Sequence, residues 1–198
     1  MSNDVSRLAA GTAAMMILVS CSQQGATRAA DSSQPNETAA IDRNDPVASA
    51  ESAAPASIAH KASVITMNDK GVATVVRQGS NGWTCMPDSP ATPGPDPMCA
   101  DANAMKWADA WIHRKAPPPG ATGLMYMLEG GTDASNSDPY AIKPTSENDW
   151  IKTGPHVMVV GSKEILAGYP TGTKPDTSGP YVMWAGTPYA HLMVPIGK

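Results

Sequence analysis

The chain has 198 residues, with 14 Lys and Arg against 18 Asp and Glu and a formal net charge of −4. Such a balance, with no basic stripe and no block of like charge, argues against a nucleic-acid or polyionic partner. Phenylalanine is absent while methionine reaches 12 residues, so thioether side chains must do much of the core filling.

The first element is MSNDVSRLAAGTAAMMILVSCSQQ, in which Arg7 precedes an uncharged, mostly apolar run from Leu8 to Val19. Crossing a hydrocarbon core takes about 20 helical residues. The run is shorter than that and reads as a cleavable export signal over residues 1–20. It ends in Leu18-Val19-Ser20-Cys21, which resembles the lipobox of bacterial lipoproteins. The resemblance implies diacylation of the Cys21 thiol by palmitate-like chains, cleavage before that residue, and acylation of the new amino terminus. Each buried methylene contributes about 0.8 kcal/mol, so several chains together anchor stably. Ser22 after the cysteine favours the periplasmic face of the outer membrane if the cell is Gram-negative.

Residues 21–57 follow as an expected disordered tether. Between residues 22 and 57 no aromatic residue occurs, and Ile41 and Val47 are the sole large aliphatics. A segment so poor in apolar surface cannot offset its ordering entropy. Its root-mean-square reach is about 30–35 Å.

Residues 58–198 carry every Trp and Tyr of the chain and form the expected single domain. ASVITM and VATVVRQ flank Asn68-Asp69-Lys70-Gly71 and predict a hairpin. Cys85 and Cys99 bracket a proline-dense loop, and with Cys21 acylated in an exported chain these two are expected to form a disulfide. Their spacing matches neither a C-x-x-C redox pair nor a zinc knuckle. Asp101 is placed to cap a helix over about 101–115, where Ala104, Ala108, Trp111 and Ile112 share a face with Met105. Lys106, Asp109 and His113 lie on the other face, and His113 is one turn beyond Asp109, as a surface ion pair requires. Pro117-Pro118-Pro119 forbids continuation. GLMYML, HVMVVG, YVMWAG and AHLMVP are short apolar runs without polar alternation, which predicts strands covered on both faces. The expected fold is α+β, a small, largely antiparallel sheet with one main helix, in preference to an all-β sandwich.

Two groups of residues are candidates for chemistry. His156 with Met158, and His191 with Met193, each place an imidazole and a thioether on one face of a strand. Brought together by neighbouring strands they would suit Cu(I), although strand methionines commonly serve as filler. In EGGTDASNSDPYA, Glu129, Asp133, Asn136 and Asp138 could gather around a hard cation. The EF-hand template fails there, because Asp138 stands where the turn glycine belongs, and Asx turns explain the same residues. No G-x-S-x-G, H-E-x-x-H, Walker or G-x-G-x-x-G signature occurs. An unmarked hydrolase could still use His156 or His191 with Glu129 or Asp133.

GWTCMPDSPATPGPDPMC, MYMLEGGTDASNSDPYA, TGPHVMVVG and VMWAGTPYAHLM resemble segments of an uncharacterised exported bacterial family. The resemblance runs from roughly Ala62 to Pro195. It implies a recurring domain and carries no activity, cofactor or catalytic residue. The expectation is therefore an envelope protein that binds a small molecule or another envelope component without turning it over, with copper binding and hydrolysis as rivals. Intact mass spectrometry of the membrane-extracted protein should show a chain starting at Cys21 with added acyl mass. An unprocessed cytosolic chain with three free thiols overturns that expectation.

Overall fold

The computed structural model describes residues 44–68, 70–92 and 94–197. The expected signal, Cys21 and the first part of the tether lie outside the described residues. Among those described, no helix is long and apolar enough to cross a membrane.

The rest of the expected tether is not a tether. Asp45 caps helix α1 (Pro46–Glu51) by accepting from the backbone N–H groups of Val47 and Ala48, with Pro46 in the first turn. A second short helix, α2 (Ala56–Ala59), follows. Ala50, Ala53, Ala59 and Ala62 are wholly buried, so this segment joins the core by close approach of small side chains. Poverty in large apolar residues is the signal that suggested disorder. It misleads here because alanine lets a helix lie flat against a sheet.

The fold is α+β. Eight strands make one sheet: β1 (Ser63–Met67), β2 (Ala73–Arg77), β3 (Thr84–Met86), β4 (Met98–Ala100), β5 (Gly123–Met127), and three more set out below. Between β5 and the next strand of the large sheet lie β6 (Ala134–Ser135) and β7 (Trp150–Ile151), which pair only with each other. The large sheet is completed by β8 (His156–Val160), β9 (Tyr181–Met183) and β10 (His191–Pro195). Its order is β2-β1-β3-β4-β5-β8-β10-β9. Every pairing is antiparallel except β1 with β3. The sheet is larger than expected, because β3 and β4 were hidden beside the proline-dense loop.

The expected hairpin is β1–β2, with the Asn68 side chain accepting from the backbone of Lys70 and Val72 at 3.0 and 2.9 Å. Helix α3 (Ala102–Ile112) is the expected main helix, three residues shorter at its C-terminus. The sheet therefore has helices on both sides. On one face α1 and α2 pack against Val64, Cys85 and Cys99, and on the other α3 packs against Ala100, Met125 and Met158. Met98, Cys99 and Ala100 alternate between these two layers, as the two-residue period of a strand demands. Arg77 ties β2 to the first layer, pairing with Glu51 and donating to the carbonyls of Ala59 and Ala62.

Cys85 and Cys99 face each other across β3 and β4, both fully buried, with their sulfurs joined. Closing a loop of sequence separation 14 contributes on the order of 3 kcal/mol. Thermal melting of the full chain with and without reductant is expected to show a loss of about 10 °C on reduction. Equal melting points would mean that the bridge does not form.

Candidate ligand-binding cavity

The site begins with the capping of α3. Asp101 accepts from Asn103 and Ala104 at 3.0 and 2.8 Å with one oxygen, and from Leu124 of β5 at 2.9 Å with the other. One carboxylate thus caps the helix and ties it to the sheet. Gly123 permits the approach, because a Cβ there would overlap the backbone of Ala104. At the far end Lys115 donates to Ala110 and Arg114 to Trp111, a Schellman closure with Arg114 at φ 55° in the position glycine usually takes. The cost of that backbone, about 1–2 kcal/mol, is partly offset by the Arg114 guanidinium lying 3.9 Å from the Tyr140 ring centroid. The expected His113–Asp109 pair is present on the surface at 3.0 Å.

The buried stripe of α3 is Ala104, Trp107, Ala108 and, half-buried, Trp111, while Ile112 is exposed. Trp107 is the residue that sequence reading passed over, and it organises this face. Its ring stacks on Trp184 at 6.2 Å between centroids and meets Tyr189 and His191 edge-on. Trp184 is held rigidly. Its indole N–H donates to the Ser135 carbonyl and its backbone N–H to Asn136, and its φ of 54° is unusual for so bulky a residue.

Between α3 and the sheet lies a cavity of about 490 Å³. Its walls are mainly thioethers and indoles: Met125, Met127, Met158, Met183 and Met193 from the sheet face the tryptophans of the helix and loop. The disulfide-closed loop supplies one lip through Pro87, Asp88 and Asp96. Asp88 accepts from the Asp96 backbone and Asp96 from Ser89. Burial raises the Asp96 carboxyl above its ordinary range, and the nearby Asp88 adds to the rise.

His156 and His191 both line this cavity. In each, Nδ1 lies against the backbone carbonyl two residues earlier, Gly154 at 2.6 Å and Tyr189 at 2.9 Å. A carbonyl can only accept, so Nδ1 carries the proton and Nε2 presents a bare lone pair. Burial drives the His191 imidazole down to about 4 and also lowers His156. Both are neutral at ordinary pH.

Strand register decides which donors meet. Met193 pairs with Met158, His156 with Pro195 and Met127, and His191 with Met183. The two histidines therefore flank the Met158–Met193 pair, four residues apart along the strands, and His156 is still near enough to add a Coulombic push to the lowering of His191. All four residues grouped by sequence spacing line this one cavity. The register adds Met127 beside His156 and Met183 beside His191. Met127 and Met183 could not be found by spacing, because cross-strand pairing is not written in local sequence.

Three of the four candidate cation-loop residues make hydrogen bonds within the chain. Asp133 accepts from the Thr153 backbone at 3.4 Å. Asp138 is exposed and accepts from Tyr140. Asn136 is buried, donating to the carbonyls of Gly172 and Thr173. Glu129 is half-buried. Among the described residues no three His, Cys, Asp or Glu side chains are placed to hold a metal ion. Gly131 lets the chain pass His156, since a Cβ there would lie 3.2 Å from the ring. On each cavity histidine Nδ1 is oriented by a backbone carbonyl rather than by a carboxylate.

No protein-family model, no curated protein and no solved structure matches the chain. The site must speak through its own geometry.

His191 makes stability depend on pH. Between its ordinary value of 6.5 and about 4, the unfolded chain binds a proton that the folded chain does not. Stability thus falls as pH drops through that window, by on the order of 3 kcal/mol, and levels off below it. Urea unfolding across pH 4–7 is expected to show a shallower slope in His191→Gln than in the wild type. Identical slopes would mean that His191 is not buried as a neutral ring.

Proposed function

We propose that the chain is a lipid-anchored bacterial envelope protein, held through Cys21, whose domain binds a small, mainly apolar molecule without turning it over. The observation that carries the binding reading is the cavity under α3, which is of ordinary ligand-site size and walled by thioethers and indoles. The two imidazoles in its wall are neutral acceptors, fitted to receive a hydroxyl or amine hydrogen of a guest. For the envelope reading, support comes from the lipobox-like run before Cys21 and from the cross-strand Cys85–Cys99 pair, which suits an oxidising compartment.

A neutral naphthylamine dye, titrated into the full chain in detergent while tryptophan emission is followed, tests the binding reading. Trp107, Trp111 and Trp184 all line the cavity, so occupancy should quench emission and transfer energy to the dye. Ala108→Phe places a ring in the cavity and should weaken the dye at least tenfold, about 1.4 kcal/mol. Unchanged affinity in a variant with native near-ultraviolet dichroism would refute binding there.

A further inference from the structure

Where β9 and β10 run side by side, three uncharged soft donors share one face of the sheet. His191 and Met183 are direct cross-strand partners, which puts their Cβ atoms about 5 Å apart. Met193 is two residues along from His191 and projects the same way. All three line the cavity under α3, and all are nearly or wholly buried.

One of these donors lacks a partner. Among the described residues, His191 Nε2 is one of two buried side-chain polar atoms without a hydrogen bond, the other being Asn136 Oδ1. Leaving such a group unsatisfied costs about 1–3 kcal/mol. The lone pair on that nitrogen is fixed there by the Nδ1 bond to Tyr189. It is a preset electron-pair donor beside two thioethers.

We infer that His191, Met183 and Met193 form a site for Cu(I). This rests on the cavity being open to ligands and extends that reading from apolar molecules to a soft cation. Thioether and neutral imidazole ligands select a soft, singly charged ion. A hard divalent ion would be left without carboxylate or thiolate neutralisation in an apolar wall, and the two domain cysteines are bonded to each other. Trp107 and Trp184, with ring centroids 5.2 and 4.9 Å from that of His191, pack against its ring in T-shaped contacts. Asp88 and Asp96 on the cavity lip add negative potential on the way in. His156 has the same two kinds of neighbour, Met127 and Met158, but its Nε2 is not among the buried partnerless atoms.

The test titrates the full chain with Cu(I) under anaerobic, reducing conditions against a chromophoric chelator, in parallel with the dye. One copper per chain should be retained by the wild type and by Met127→Leu/Met158→Leu. It should be lost in Met183→Leu/Met193→Leu, whose near-isosteric side chains keep the core filled. X-ray absorption should show sulfur and nitrogen neighbours on the copper. Retention by the Met183→Leu/Met193→Leu protein, or loss in the other pair, overturns the assignment. Dye binding without copper retention overturns the metal inference and leaves the cavity reading intact. Failure of both overturns both.

Discussion

Everything in this domain depends on the pairing register of its central strands. Met125, Met158 and Met193 stand in one row across β5, β8 and β10, and Met127 and His156 stand side by side in the next. Because side chains alternate with a period of two, a slip of one residue in β8 would send Val157 and Val159 toward α3 and turn His156 and Met158 to the opposite face. The Asp101 carboxylate, bonded to both α3 and β5, holds the helix over that face. Helix position and strand register together make the cavity.

The composition then acquires a structural meaning. A phenylalanine-free interior leaves methionine and tryptophan to cover the same layer, and the two differ in stiffness. Trp184 is fixed through both its backbone and its indole N–H, and Trp107 stacks against it. The methionines opposite have three rotatable bonds each and can re-pack at little cost. One wall is rigid and the other adaptable.

How much was legible in the sequence follows from how local each signal is. Helix α3, the β1–β2 hairpin, strands β5, β8 and β10 and the disulfide all announce themselves through caps, turns or short apolar runs. YVMWAG is cut short by Trp184, whose left-handed backbone ends β9 at Met183. Strands β3 and β4 were missed because each is three residues long, too short to show a period. Helices α1 and α2 were missed because their buried faces are alanine and serine. Of the candidate site, His156 and His191 were visible as residues facing one layer, whereas their partners Met127 and Met183 belong to other strands and become neighbours only on folding.

The described chain enters the domain through α1, whose buried side rests on the disulfide layer, and the cavity lies across the sheet from that layer. A pull on the described chain at that end would arrive at the back of the sheet, on Ser49, Ala50 and the Arg77–Glu51 clasp. The hydrogen-bonded ladder stands between that point of entry and the cavity, so a pull on the one reaches the other only through the sheet.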